Sequence, residues 1–288
     1  MNREKPKQQA WLTDLITRAL EEDIGTGDVT TNSIVGEQQT AKAIWMAKQS
    51  GVVAGLDIAE AVFRRLDGEL TWKPTCKDGD TVENGRVLVE FEGKGRAILS
   101  AERVALNFAQ RMSGIATKTA QMKEILGGYS TSILDTRKTV PGLRQIDKMA
   151  VTMGGGSNHR TGLYDMALVK ENHIRLAGSI ENAVLKIRRQ YPDILIEVET
   201  TNLHEVGEAL TAGADRIMLD NMDNETIREA VNRIDKRAET EASGNMSADR
   251  LRDVADTGVD FISAGTLTHS VQAFDISQQI TEILEQKR

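Results

Sequence analysis

A single cysteine stands among 288 residues, and aromatic side chains make up only 4% of them. One thiol, Cys76, excludes an intramolecular disulfide. Few rings together with a net charge of -7 argue against a nucleic-acid groove built on stacking platforms. No apolar stretch approaches the ~18 residues that suggest a membrane span. The polar start MNREKPKQQ lacks the apolar run of a secretory signal, so a cytoplasmic location is expected. A GxGxxG fingerprint is missing, which weakens a dinucleotide-binding reading. His173 and His204 lack metal-ligand spacing and Cys76 has no neighbouring base, so none of them is given a catalytic role. Low-complexity segments are not evident either.

The 288 residues, 40% hydrophobic, suffice for one large or two modest domains. From about Ser132 a pattern repeats: a short apolar run, a polar residue, a turn, then an amphipathic stretch. The runs are SILD, MALVK, ILIEVET, RIMLDN, a weaker AETEAS and VDFISAG. Helical spacing lies between them, as at Ile180, Ala183, Val184 and Ile187, or Val206, Ala209 and Leu210. Asn202 with Glu205 suits a helix cap of the capping-box kind, and Gly178, Gly213 and Gly258 fall where the chain must turn. Consecutive βα units of this kind predict a parallel sheet curled into a closed or nearly closed barrel. The first part reads as a small α/β sandwich, with a helical face at Trp11, Leu12, Leu15, Ile16, Ala19 and Leu20 and short strands around glycine turns. A long helix from Ser100 bridges the parts. The fold class is therefore α/β, with a sandwich domain over 1–115 and a barrel domain over 116–288. A C-terminal helix over 270–288 is expected to pack back on the first.

In this acidic chain, 43 acidic against 36 basic residues, the stretch from Arg137 to Lys170 reverses the sign. It holds Arg137, Lys138, Arg144, Lys148, Arg160 and Lys170, with His159, against Asp147 and Asp165. Strand ends in a parallel barrel converge at one mouth, so residues just after each run meet in space. Arg137 and Lys138 follow SILD, Lys170 follows MALV, Glu199 ends ILIEVE, and Asp220 ends RIML. The loop GGGSN before His159 and Arg160 lets backbone amides approach an anion. Ser243, Gly244 and Asn245, with Ala264, Gly265 and Thr266, stand where many barrels bind phosphate. Glu199 and Asp220 together suit a hard cation such as Mg²⁺. Other readings stand beside these: Lys170 as the salt-bridge partner of Glu199, Asp220 as a helix cap, and Glu197 in place of Glu199.

The ordered motifs DTRKT, GGGSNHR, DMALVKENH, IEVE, IMLDN, EASGN and ISAGTLTHS, with EEDIGTGDVTT and ERVALNFAQRMSGIAT upstream, resemble the quinolinate phosphoribosyltransferase family over nearly the whole chain. The resemblance implies an N-terminal α/β sandwich, a C-terminal open α/β barrel and a homodimer. The implied activity is that of a pentosyltransferase joining quinolinate to 5-phosphoribosyl 1-pyrophosphate in NAD biosynthesis. It places Arg137, Lys138, His159, Arg160 and Lys170 around the dicarboxylate, with Arg103 reaching in from the neighbouring subunit, and counts Thr136 among the substrate-binding residues. Lys138, Lys170, Glu199 and Asp220 are the implied catalytic residues. Glu199 and Asp220 hold the ribose hydroxyls and Mg²⁺, directly or through water, and 243–245 with 264–266 form the phosphate loops. Thr266 and Asn245 depart from the small residues expected there. Three other readings compete: a related group associated with molybdenum transport, an aldolase-type lyase with Lys170 as Schiff-base lysine, and a non-catalytic metabolite sensor.

Overall fold

The computed structural model describes residues 4–284. Among them the chain opens with α1 (Glu4–Ile24), α2 (Val29–Ile34), β1 (Thr40–Ala47), β2 (Gly51–Val52), α3 (Leu56–Leu66), β3 (Thr71–Pro74), β4 (Thr81–Val82) and β5 (Val87–Lys94). The long α4 (Gly95–Ile125) follows and starts ahead of the expected Ser100. Then come β6 (Ser132–Leu134), α5 (Arg144–Met153), β7 (Ala167–Val169), α6 (Glu171–Ala177), α7 (Ile180–Gln190), β8 (Ile196–Thr200) and α8 (Leu203–Ala212). The chain ends with β9 (Arg216–Asp220), α9 (Asn224–Ile234), β10 (Glu239–Ser243), α10 (Ala248–Ala255), β11 (Phe261–Ser263), α11 (Thr266–His269) and β12 (Ile276–Leu284). Two compact units result, one running to Thr117 and resuming at Val271, the other Lys118–Ser270. No helix among the described residues is long and apolar enough to cross a membrane.

The first unit is built on an antiparallel sheet in the order β12-β1-β5-β3. Most of the chain's few aromatics gather here: Phe63 of α3 lies 5.9 Å from Trp45, 5.6 Å from Trp72 and 5.0 Å from Phe91, centroid to centroid. One face of α3, Leu56, Ile58, Ala59, Val62 and Phe63, is buried, so the aromatic cluster is where helix meets sheet. Two hydroxyls one turn apart on α4 serve the short strand β2. Thr117 Oγ1 accepts from the Val52 amide (2.9 Å) and Ser113 Oγ accepts from the Ala54 amide (2.9 Å), and each donates back to the carbonyl of the same residue. The backbone groups at Val52 and Ala54 are thus satisfied by a helix, while β2 pairs with β4 along its other edge.

The expected C-terminal helix over 270–288 is a strand instead. β12 runs antiparallel to β1, with Ile276 opposite Ala47 and Leu284 opposite Thr40; residues 285–288 lie outside the described residues. The spacing of Ile276, Ile280 and Ile283 fits a helical stripe on paper. The open edge of β1 decides otherwise, because its amides and carbonyls need partners. Cross-strand contacts fix the register: Trp45 Nε1 donates to Gln278 Oε1 (2.8 Å), and Lys42 pairs with Glu282 (2.8 Å).

The second unit holds a parallel sheet in the order β6-β11-β10-β9-β8-β7. It is an open barrel wall with β6 and β7 as its edges, and every expected apolar run supplies one strand. Three of the helices between the strands, α7, α8 and α9, begin at side-chain caps. Ser179 accepts from the Asn182 amide (3.1 Å), Asn202 from the Glu205 amide (3.0 Å) and Asp223 from the Thr226 amide (2.8 Å). Glu205 reaches the Thr201 amide (2.7 Å), so the cap is made without the reciprocal half of a capping box. Parallel strands send all their C-terminal ends to one rim, and the loops there carry the cationic stretch.

Gly114 of α4 gives a direct test of packing in the first unit. A Cβ there would stand 2.1 Å from the backbone oxygen of Gln272. Ala normally adds about 1 kcal/mol over Gly inside a helix, yet a backbone atom cannot rotate aside as a side chain can. Gly114→Ala is therefore expected to lose stability, by at least about 1 kcal/mol in urea denaturation. A gain would contradict this packing.

Candidate active site

At the C-terminal rim of the parallel sheet lies a cavity of about 690 Å³. One wall is cationic: Thr136, Arg137 and Lys138 follow β6, His159 and Arg160 follow α5, and Lys170 follows β7. Across from it stand Glu199 of β8 and Asp220 of β9, and the remaining wall is Asn221 with Ser243, Gly244 and Asn245. Arg137 Nε and Arg160 Nε are buried without a hydrogen-bond partner. Burial, and then the like charge of Arg137, lower the pKa of Arg160. Two guanidiniums in mutual repulsion, with donors unspent, describe a site that waits for an anion.

The geometry bears on several of the open readings. Lys170 Nζ lies 2.5 Å from Glu199 Oε2, so the salt bridge is present and both groups still line the cavity. Helix α9 is capped by Asp223 (2.8 Å to the Thr226 amide), which leaves Asp220 facing the cavity with Asn221 Nδ2 donating to it (2.7 Å). Glu199 lines the cavity and Glu197 does not.

The loop after β10 is set by conformation. Gly244 has φ +97°, and a Cβ there would stand 2.2 Å from Asn221 Oδ1, so only glycine fits. Asn245 has φ +44°, a left-handed value that Asn tolerates better than most residues. Arg250 ties the loop down, donating to the Gly244 carbonyl (3.0 Å) and the Met222 carbonyl (2.6 Å). Ala264, Gly265 and Thr266 do not line the cavity; Gly265 backs onto Lys138, whose Cδ a Cβ would meet at 2.9 Å. Lys118 steadies that turn from α4, its Nζ donating to the Thr266 carbonyl (2.8 Å). Arg103 is exposed on α4 in the first unit.

Sequence reasoning placed His159 at the site and weighed Glu197, but did not foresee that the two meet Glu241 beneath the cavity. His159 Nε2 is 2.9 Å from Glu197 Oε2 and 3.4 Å from Glu241 Oε2, all three side chains being buried. These are close charge contacts without hydrogen-bond alignment. Burial alone would push the imidazole pKa down, but the two carboxylates outweigh it and hold it at about 9. The Arg160 amide, 2.7 Å from Nδ1, suits the singly protonated ring and opposes them; two charges outweigh one dipole. Burial raises Glu197 to about 7, against the pull of His159, and the neighbouring carboxylate of Glu241 adds to the rise. Glu241 is also pushed up by burial, but the imidazole more than offsets that and its pKa is lowered. The ligand atoms of the three residues lie within 4.8 Å of one another, a spacing a cation could use. Arg216, its Nη1 3.6 Å from Glu241 Oε2, already supplies a balancing charge from below. A readable signal existed: Glu197 and Glu199, and likewise Glu241 and Ser243, are two apart on one strand and share the inward face.

An anion-binding open α/β barrel joined to an α/β sandwich is what the fold and cavity define. The family model for the C-terminal domain of quinolinate phosphoribosyl transferase matches residues 115–279, and that for the N-terminal domain matches residues 28–113. The chain belongs to this family. It is 44% identical to a probable nicotinate-nucleotide pyrophosphorylase [carboxylating] of Bacillus subtilis, over 94% of this chain and 93% of the relative. A chloroplastic counterpart from Oryza sativa is also 44% identical, over 93% of this chain and 77% of the relative. Among solved structures it is similar to NadC from Streptococcus pyogenes, with TM-score 0.93, 39% identity, and 99% and 100% of the two chains covered. The nicotinate-nucleotide pyrophosphorylase from Francisella tularensis gives TM-score 0.91 at 40% identity, over 94% and 96%.

The floor should be visible in the pH dependence of stability. A carboxyl held at about 7 against an ordinary 4.5 binds its proton more tightly in the folded state, so it subtracts stability as pH rises between those values. An imidazole held at about 9 against 6.5 adds stability below 6.5 that is lost as pH climbs through 9. Glu197→Gln removes the first effect and leaves a neutral side chain of the same shape. Urea midpoints are expected to show a shallower fall between about pH 5 and pH 7 in this variant than in the parent, by at least about 1 kcal/mol. Parallel curves would contradict the raised carboxyl.

Proposed function

We propose that the protein is a quinolinate phosphoribosyltransferase. It joins quinolinate to 5-phosphoribosyl 1-pyrophosphate and gives nicotinate mononucleotide, pyrophosphate and carbon dioxide, in de novo NAD biosynthesis. The observation that carries the reading is the Arg137–Arg160 wall, whose buried donors lack partners, set opposite two carboxylates in one cavity. Quinolinate brings two carboxylates, and its partner substrate brings a phosphate and a pyrophosphate. Such substrates call for a cationic mouth in an otherwise acidic protein.

Arg137, Lys138, His159, Arg160 and Lys170 bind and orient the dicarboxylate. This aims the pyridine nitrogen at the ribose carbon that loses pyrophosphate. Glu199 and Asp220 hold the ribose hydroxyls and favour the positive charge that builds on that carbon. The loop 243–245 offers amides to the phosphate. After the nitrogen–carbon bond forms, the quaternised ring nitrogen stabilises the electron pair left when the adjacent carboxylate departs as carbon dioxide, and a proton takes its place. The oxygen donors of Glu199 and Asp220 fit Mg²⁺, which when bound would offset the charge of the pyrophosphate. The acting form is a homodimer in the cytoplasm, with Arg103 of each subunit reaching the other's site.

Protein supplied with both substrates and Mg²⁺ is expected to form nicotinate mononucleotide and release carbon dioxide from carboxyl-labelled quinolinate in equal amounts, and chelation of the metal is expected to stop it. Arg137→Ala should lose at least about 2 kcal/mol of transition-state binding, roughly 30-fold in kcat/KM for quinolinate. An unchanged value would reject its role. Trans completion is tested by mixing: Arg103→Ala and Arg137→Ala, each strongly impaired alone, should recover roughly a quarter of parental activity when refolded together, from random pairing in a two-fold dimer. No recovery would place Arg103 outside the partner's site.

A further inference from the structure

Two side chains that do not line the cavity hold its cationic wall together. Asp135, just beyond β6, and Lys148, on α5, are 0% and 4% exposed and form an ion pair. Both partners also grip the backbone of one residue. The His159 amide donates to Asp135 Oδ1 (2.9 Å), and Lys148 Nζ donates to the His159 carbonyl (2.8 Å). Asn158, with its side-chain amide turned to donate, reaches Asp135 Oδ2 (2.6 Å) and the Lys148 carbonyl (3.0 Å). Main-chain bonds continue the seam: Ser157 donates to the Ile133 carbonyl (2.8 Å) and Asp135 to the Ser157 carbonyl (3.2 Å). The loop carrying His159 and Arg160 is thereby stitched to the strand end that carries Arg137 and Lys138.

Stability alone gives little reason for such an arrangement. A buried ion pair is often no better for stability than apolar side chains of the same volume. What it supplies is a fixed geometry, and this one spans the two segments whose side chains form the wall. Small shifts there matter, because a misplacement of about 1 Å can cost on the order of 100-fold in a positioned site.

We infer that the buried Asp135–Lys148 pair is a positioning device for the dicarboxylate subsite, setting the separation between Arg137 with Lys138 and His159 with Arg160 while touching no substrate itself. The inference rests on the reading of this cavity as the quinolinate site. It makes Asp135 and Lys148 specificity determinants for one of the two substrates, since the loop 243–245 lies on other strands.

The test is calorimetric binding of quinolinate and, separately, of phosphoribosyl pyrophosphate with Mg²⁺, alongside melting midpoints and product formation. Asp135→Ala/Lys148→Met removes both charges together and strands neither. It is expected to weaken quinolinate binding by about 10- to 100-fold and to leave phosphoribosyl pyrophosphate binding within about twofold. Asp135→Asn/Lys148→Met keeps an acceptor for the His159 amide, strands no charge and should restore most of the quinolinate affinity. Asn158→Ala, at an exposed residue of the same network, is the milder variant should the double one fail to fold; it should weaken quinolinate binding about threefold or more. Parental quinolinate affinity in folded Asp135→Ala/Lys148→Met or Asn158→Ala overturns the inference, as does an equal loss of both ligands. A parent that binds no quinolinate overturns the inference and the proposed function together. A parent that binds quinolinate and makes no product overturns the proposed reaction alone, and the variants' affinities then still decide the positioning role.

Discussion

A charge taken out of water must be met by a proton, an opposite charge or a set of donors. That constraint organises the barrel unit. Beneath one cavity lie Asp135 with Lys148 and, beside them, Glu197 and Glu241 around His159. Arg216 completes the second cluster from below, its guanidinium 4.3 Å above the Phe261 ring and 2.7 Å from Glu239. Each of these three carboxylates, Asp135, Glu197 and Glu241, has a cation beside it, and the cations come from α5, the loop before Arg160 and β9. The layer therefore fixes the relative placement of β6, β8, β9, β10 and the loop before Arg160.

Above that layer the balance changes. Arg137 and Arg160 face the cavity with Nε donors unspent, while Lys170 is held by Glu199 (2.5 Å). The compensated floor keeps its residues in place, and the uncompensated wall above it favours whatever anion can supply the missing charge. In the proposed reaction a planar ring with two adjacent carboxylates would meet both guanidiniums at once, and phosphate groups would meet the amides of the glycine-containing loop. Selectivity for two anionic substrates in a chain of net charge -7 then follows from where its cations sit, since their total is outnumbered.

Much of this was legible in the sequence, for physical reasons that differ by element. Strands buried on both faces read as short apolar runs closed by turns, so all six barrel strands were visible, even β10 in the weak run AETEAS. The cavity's lining was legible because parallel topology sends the residue after each run to one rim, which picked out Arg137, Lys138, Lys170, Glu199 and Asp220. The floor was not read, although Glu197 and Glu241 lie two residues before mouth residues on the same face; a buried carboxylate looks like a surface one until its partner is known. The C-terminal strand was misread because Ile276, Ile280 and Ile283 satisfy a helical period, and only the open edge of β1, distant in sequence, decides for a strand. Gly244 and Asn245 were seen as a loop, but the positive φ that requires them belongs to the folded backbone.

The central claim is that the uncompensated wall is the dicarboxylate site. It is tested most directly by a crystal structure of the protein soaked with quinolinate alone. The account predicts both carboxylates against Arg137, Lys138 and Arg160, above the His159 floor, with the 243–245 loop left free for the second substrate. Quinolinate seated on the 243–245 loop, or absent from the cavity at saturating concentration, would contradict it.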